Sequence, residues 1–481
     1  MVRLSGKSAA TRISLNGVAE WLHNVISSKV FLVVGFLWFF FQSSVIALTT
    51  RFGLPPDETY HYDFIKLFTD SGWLPFLSSQ DGHYVLGEAV KTPFFIYHYL
   101  FSLPNHFLGD GDFAIIFLRM LNVILGLGSL YLLYKIAKFV KLSDFAANLV
   151  IFLSASTLMF VFISGSISYD NLFILVTLFA ILTLLKILKK PRLPELLYLA
   201  TALLVGLLIK KNFIVVAALI LGIVLIKLLR DKNFLSAVKT VNLATIKSRP
   251  SYLVLSFFIL ILSIVFVQRY VVNTIKYGNF EPKCTAVLAV EKCRENHVFA
   301  RDEMLDNMQR PPAEKKRYQY ISDWSILMSE RTYGVFAHTS FAPRANILFL
   351  IQTLLILGFA AIIRGLNLKN KNLNLILLIS FIYIGALMLE NYMRYERYGS
   401  FTFAIQGRYA LPFVLLIYIA MAYYACQVIR RKQIVYLVAS LAIIVFFLSS
   451  LPSYIQLTNK DWRNQPTNNA RSSLVKFLGQ D

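Results

Sequence analysis

Acidic residues are scarce in this chain: 26 Asp and Glu stand against 48 Lys and Arg, for a formal net charge of +22. They are scarcest in the middle of its long apolar runs, which are nearly free of them. An ion-coupled carrier places acids near the bilayer midplane in broken helices, so their absence there favours an enzyme over a carrier. Residues 1–29 lack the features of a signal peptide: Ile13, Val18, Trp21, Leu22 and Val25 are spaced as in an amphipathic helix, and no small-residue cleavage site follows. The expectation is a cytoplasmic N-terminus lying on the membrane surface. Internal repeats and low-complexity tracts are absent, and Gly126-Leu127-Gly128 sits inside an apolar run, as a packing contact rather than a nucleotide loop. Only three cysteines occur. Cys284 and Cys293, with eight residues between them, share a long hydrophilic loop, where an oxidising compartment favours a disulfide. Cys426 reads as a small core residue.

What the chain has in abundance is apolar length. Of its 481 residues 57% are hydrophobic and 15% aromatic, with mean hydropathy +0.60. Apolar runs at 30–50, 113–134, 144–165, 170–188, 195–209, 212–229, 251–272, 345–363, 373–389, 409–428 and 434–455 predict an all-α polytopic membrane protein with about eleven spans. The basic surplus could point to nucleic acid. Instead much of it clusters at the ends of these runs, at Lys135–Lys141, Lys189–Arg192, Arg230–Arg249, Arg364–Lys371 and Arg430–Lys432. The positive-inside rule makes that side, with residues 1–29, cytoplasmic. The opposite side receives 51–112, 273–344, 390–408 and a tail from 456. Within 51–112, Pro93–Tyr97 and Leu100-Phe101 read as interfacial helices. Loop 273–344 reads as a small ordered external subdomain, because of Tyr318, Tyr320, Trp324, Tyr333 and Phe336. The short run at 195–209 is the weakest span, and Lys210 and Lys211 beyond it read as interfacial anchors.

Polar groups gather at the outward ends of the runs. Leu54-Pro55-Pro56-Asp57-Glu58-Thr59-Tyr60-His61-Tyr62-Asp63 follows the first run, where two prolines stop the helix and an extended backbone is expected. Glu88 and Lys91 lie in the first loop; Ser168, Tyr169 and Asp170 precede the fourth run; Lys210 and Lys211 lie between the fifth and sixth; Arg394, Arg397, Gln406, Arg408 and Tyr409 precede the tenth. Acids and bases converging on one membrane face suit a lipid-attached anionic leaving group and a hydroxyl acceptor. A carboxylate takes the acceptor's proton, and Lys and Arg hold phosphate. Plainer roles stand beside these: Asp170 as a helix N-cap, Arg408 as an interfacial residue, and His61 packed between Tyr60 and Tyr62.

Pro55-Pro56-Asp57-Glu58-x-x-His61, Lys91-x-Pro93, Phe117-Leu118-Arg119-Met120-Leu121-Asn122, Ser166-x-x-Tyr169-Asp170 and Gln406-Gly407-Arg408-Tyr409-x-x-Pro412 occur in that order. Together they resemble the GT-C superfamily of membrane glycosyltransferases, and within it a large bacterial family with the same Pro-Asp-Glu-x-x-His and Gln-Gly-Arg-Tyr signatures. The resemblance spans most of residues 30–415. It implies transfer of a sugar from a polyprenyl phosphate, with inversion, on the outer face of a bacterial inner membrane. Asp57 matches the catalytic base and Glu58 its acidic neighbour, which orients acceptor or base. Lys91, Asp170, Arg408, Tyr409 and His61 are the implied substrate-binding residues. Arg331-Thr332-Tyr333-Gly334-Val335-Phe336 resembles an aromatic-glycine stretch before the eighth span. No large soluble domain follows the last run, which points from a protein acceptor to an envelope glycan such as O-antigen. No residue is assigned to a metal; no cofactor is certain, and a divalent metal stays open. The implied partners are the bilayer, the lipid-linked sugar, a flippase and a donor-synthesising transferase, without nucleic acid. The rival readings are a polymerase or ligase moving whole lipid-linked oligosaccharides, and a flippase or transporter.

Overall fold

The computed structural model describes residues 15–70, 95–242, 246, 249–280, 282, 284–294, 297–307, 317–336, 340–366, 370–399, 405–458 and 462. Glu88, Lys91, Pro93 and most of the tail from 456 lie outside them.

Ser28 separates the first two helices. Its hydroxyl accepts from the Phe31 amide at 3.1 Å, capping α2 (Lys29–Thr49) after the amphipathic α1 (Leu15–Ser27). Asn148 closes the other side of this junction by donating to the carbonyls of Ile26 and Ser28 at 2.7 and 3.0 Å. Two helices follow α2 and pack against each other: α3 (Glu58–Asp70) and α4 (Ile96–Leu108). The membrane segments resume with α5 (Asp112–Phe139), followed by the broken pair α6 (Asp144–Ala155) and α7 (Leu158–Ser164). Next come α8 (Tyr169–Lys189), α9 (Leu193–Ile209) and α10 (Phe213–Arg230), with the short α11 (Lys232–Lys239) on the basic side. The composite α12 (Pro250–Tyr277) leads into the long region between the apolar helices. There α13 (Val290–Arg294), α14 (His297–Asn307) and α15 (Arg317–Tyr333) precede a hairpin of β1 (Val335–Phe336) and β2 (Ser340–Phe341), paired antiparallel with Val335 opposite Phe341. The last helices are α16 (Ala345–Gly365), α17 (Lys371–Tyr398), α18 (Leu411–Val428), α19 (Lys432–Ser449) and α20 (Leu451–Leu457).

All eleven predicted runs are helical. Among the described residues nine helices are long and apolar enough to cross a membrane, making this a multi-pass membrane protein. The other two runs depart from a plain span. The run at 144–165 bends by 63° between α6 and α7, and α9 has only 17 residues. A bend inside an apolar environment exposes backbone groups that need partners. Here the buried Gln42 side chain donates to the Ala155 carbonyl at 2.7 Å and Trp38 donates to Ser156 Oγ at 3.2 Å. Apolar composition alone does not distinguish a straight span from a broken one.

Gly126 bears out its reading as a contact: a Cβ there would stand 2.6 Å from Ser164 Oγ and 2.7 Å from the Phe39 ring. The bend and this close approach bring the end of α7 against α2 and α5, and so fix where the chain re-emerges at Ser168. In the region between α12 and α16 Cys284 and Cys293 are disulfide-bonded, with Cα atoms 5.9 Å apart. α15 docks on α17 through Tyr320 stacked on Tyr395 and Trp324 donating to Asn391 at 3.0 Å.

Candidate active site

The turn after α2 is a left-handed one. Gly53 and Asp57 have φ of +84° and +59°, a region Asp tolerates better than most residues. Glu58 then begins α3, so Asp57 and Glu58 do not lie in an extended segment as expected. α2 already ends at Thr49, before the two prolines, so they do not stop it as expected, and the reversal at Asp57 turns the chain straight into a helix. Strain of this kind concentrates where side chains are aimed for a purpose.

That reversal sends the two neighbouring carboxylates to different surroundings. Glu58 is fully buried. Its Oε1 and Oε2 accept from Arg119 Nε and a terminal guanidinium nitrogen at 2.7 and 2.6 Å, and from the Ile167 and Gly53 amides at 3.1 Å each. Arg119 is equally buried and donates its remaining nitrogen to the carbonyls of Ala47 and Thr50 at 2.9 and 2.8 Å. Every oxygen of Glu58 is therefore occupied. Glu58, read from the sequence as the neighbour that orients acceptor or base, ties α5 to the segments that follow α2 and α7, on the turn that carries Asp57.

Asp57, by contrast, keeps 51% of its side chain exposed while its partner Arg408 keeps 3%. Arg408 donates to Asp57 Oδ2 at 2.5 Å and to the Pro56 carbonyl at 3.1 Å. Its guanidinium holds the Asp57 carboxyl well below the usual carboxylate range, outweighing the upward push of partial burial. Arg408 Nε faces Asp170 Oδ2 at 3.5 Å without a hydrogen bond, leaving a buried donor and a buried acceptor unsatisfied. The other Asp170 oxygen accepts from Lys210 at 3.0 Å. Lys210 lies over the Tyr409 ring at 3.9 Å and the Tyr169 ring at 4.8 Å. Burial opposes the charge on Lys210, but Asp170, backed by Tyr169 and Tyr409, carries its pKa above the ordinary value. The result is an alternating row, Asp57–Arg408–Asp170–Lys210, flanked by two tyrosines. Asp170 also occupies the first turn of α8, with Ser168 as the cap, so it is not the N-cap itself.

Three elements shape this row. α15 seats the Gln-Gly-Arg-Tyr turn: a Cβ on Gly407 would lie 2.1 Å from the Arg331 carbonyl oxygen, and Arg331 donates to the Ile405 carbonyl. Only glycine permits that approach, and this accounts for the position of Arg331–Phe336. A buried polar network fixes the start of α8, with Asn171 donating to Asn122 Oδ1 at 2.9 Å and Tyr97 donating to the same oxygen at 3.1 Å. Beside it His61 Nδ1 and His98 Nε2 lie 3.0 Å apart, and the His61 ring meets Tyr169 edge-on at 4.4 Å. Burial pushes the His61 imidazole down to about 4, against the pull of Asp57. His61 is thus buried, at 1% exposure. Its main partner is His98, not the flanking tyrosines.

Sequence reasoning brought Asp57, Asp170, Arg408 and Tyr409 to one face, and the structure joins all four. It missed Lys210, whose position between α9 and α10 looked like an anchor; only its place among polar outward ends marked it. Arg394 and Arg397 are engaged elsewhere, with Glu390 and Asp306. Among the described residues no group of three or more His, Cys, Asp and Glu side chains converges as metal ligands. A pocket of about 210 Å³ is lined by residues including Lys211, Asn212, Tyr383 and Glu390, and by none of the four in the row.

Residues 91–267 match a protein-family model described as dolichyl-phosphate-mannose-protein mannosyltransferase, a GT-C family. The matched stretch contains Asp170 and Lys210 and ends before Arg408. No curated protein matches by sequence. Similar solved structures include the archaeal oligosaccharyltransferase AglB of Archaeoglobus fulgidus in complex with an inhibitory peptide and a dolichol-phosphate. It is 14% identical over 96% of this chain and 58% of its own, with a TM-score of 0.47. The Archaeoglobus fulgidus oligosaccharyltransferase complexed with Zn and sulfate is 13% identical over 92% and 55%, with a TM-score of 0.48. The chain therefore spans less than three fifths of the length of these proteins.

Proposed function

We propose that this chain is an inverting membrane glycosyltransferase that moves a sugar from a polyprenyl-phosphate donor to an outward-facing glycan. The family match over residues 91–267 supports the reaction class. The observation that carries the reading is the row Asp57–Arg408–Asp170–Lys210, two carboxylates alternating with a buried arginine and a part-buried lysine at one end of the apolar helices. Basic clusters at the opposite ends of those helices support a cytoplasmic N-terminus and an external site, and the signatures that resemble a bacterial family support a bacterial inner membrane.

In the proposed reaction the donor phosphate lies against Arg408 and Lys210. It competes with Asp57 for the Arg408 guanidinium and meets the Nε–H that now lacks an acceptor. Released from Arg408, Asp57 becomes a stronger base, because the cation that depresses its pKa is shared with phosphate. The acceptor oxygen attacks C1 as Asp57 takes its proton. The bond from C1 to the phosphate oxygen breaks, and polyprenyl phosphate departs with the electron pair, its charge held by Arg408 and Lys210. Attack opposite the leaving group inverts C1. Asp170 keeps both cations in register. Glu58 and Arg119 hold the turn that aims Asp57.

Purified protein given a labelled polyprenyl-phosphate sugar and an envelope glycan should release polyprenyl phosphate as one sugar is transferred. Consumption of only preassembled lipid-linked oligosaccharide would indicate a ligase or polymerase instead. Movement of the donor across a vesicle without cleavage would indicate a flippase.

A further inference from the structure

A second site lies at the end of the bundle away from Arg408. α18 starts beside Arg408 and runs down to Val428; α19 returns from Lys432. Between the lower parts of α6, α16, α18 and α19 is an apolar groove of about 430 Å³, lined by Leu357, Ala360, Ala425 and Ala442 among others. Its volume is that of a small-molecule site. The small side chains on three of the helices leave the space open. Leu357 and Ile434 on its border are 54% and 44% exposed, so the groove faces the membrane rather than the protein interior. Arg364 is the single charged residue in the lining, at the end of α16. Exposed Arg430 and Arg431 follow immediately on the groove residue Ile429.

We propose that this groove binds one acyl chain of an anionic glycerophospholipid, with the headgroup phosphate at Arg364. The lining excludes a polar ligand, and an open apolar groove within a bilayer is filled by hydrocarbon. The basic mouth selects the sign of the headgroup: an arginine fork matches phosphate oxygens, and juxtamembrane basic residues attract anionic lipids. The donor's phosphate is not the occupant, because its cations lie at the other end of α18.

Native mass spectrometry of the full chain with dioleoyl phosphatidylglycerol or dioleoyl phosphatidylcholine tests this. One bound phosphatidylglycerol should be retained about fivefold better than phosphatidylcholine, the effect of one basic residue near the surface. Arg364→Gln should bring the two lipids to parity, and Ala360→Phe should reduce retention of both. Equal retention by the parent chain would overturn the proposal. So would a preference that survives Arg364→Gln, or adducts that survive Ala360→Phe. Should Ala360→Phe not fold, a phosphatidylglycerol carrying a diazirine in its acyl chain serves with the parent chain. Crosslinks on the lower parts of α16 and α19 are expected, and crosslinks scattered over the outer helix surfaces would reject the site.

Discussion

Glu58→Gln separates a carboxylate that holds the site from one that does chemistry. The substitution preserves shape but removes the charge facing Arg119, a buried pair with side chains 0% and 1% exposed. Breaking such a pair by neutralising one partner costs about 3–5 kcal/mol, because the other charge stays buried. The new amide NH2 also points donor to donor at two of the four N–H groups that Glu58 now satisfies, because each oxygen accepts from two. Arg119 keeps its bonds to the Ala47 and Thr50 carbonyls, which holds the loss near the lower end of that range. SDS-induced unfolding in mixed micelles should therefore show Glu58→Gln destabilised by about 3 kcal/mol or more. Replacing Arg119 by Gln as well should recover a large part of this, since no charge is then stranded. Transfer should fall roughly in proportion to the folded, correctly turned fraction. If Glu58→Gln is as stable as the parent yet inactive, Glu58 is a catalytic group and its assignment as a clamp is wrong.

Other perturbations probe the rest of the site. Arg408→Gln and Lys210→Gln should each raise the donor KM by about 10–100-fold, the loss of one charge-assisted hydrogen bond; unchanged donor use in both would move the phosphate site elsewhere. His61, with its pKa lowered to about 4 by burial, stabilises the fold fully above its unfolded value of about 6.5, and that contribution is lost as pH falls toward 4. The acid-side loss of stability between those limits should shrink in His61→Gln, and an unchanged slope would contradict the buried neutral imidazole. Mass spectrometry of non-reduced protein should recover Cys284 and Cys293 in one crosslinked peptide; two free thiols would remove the staple from the region between α12 and α16.

The sequence made the spans legible because the bilayer imposes length and composition on any segment that crosses it. It also brought Asp57, Asp170, Arg408 and Tyr409 together, since each follows or precedes an apolar run on the same side. Other features escaped it for physical reasons. Two adjacent acids look alike in sequence, and only the positive φ of Asp57 sends Glu58 inward to Arg119. Arg119 and Asn122 stood in a quoted motif, but nothing local reveals that their partners are 61 and 49 residues away. Lys210 resembles any interfacial lysine until Asp170 is seen beside it. The bend at Ser156 leaves no trace in hydropathy, because the long-range donors Gln42 and Trp38 lie in a different helix.

The role of Asp57 is the centre of this account, and Asp57→Asn addresses it with the least disturbance. Asparagine keeps the size and an acceptor for Arg408, and half of the side chain already faces out of the protein, so folding should survive. Donor binding should persist or tighten, because Arg408 no longer has a competing carboxylate. Transfer from a labelled polyprenyl-phosphate sugar should fall about 10²–10⁴-fold, the usual contribution of a general base. A folded Asp57→Asn protein that transfers the sugar at near-parent rate would contradict the mechanism and return the search for the base to Asp170.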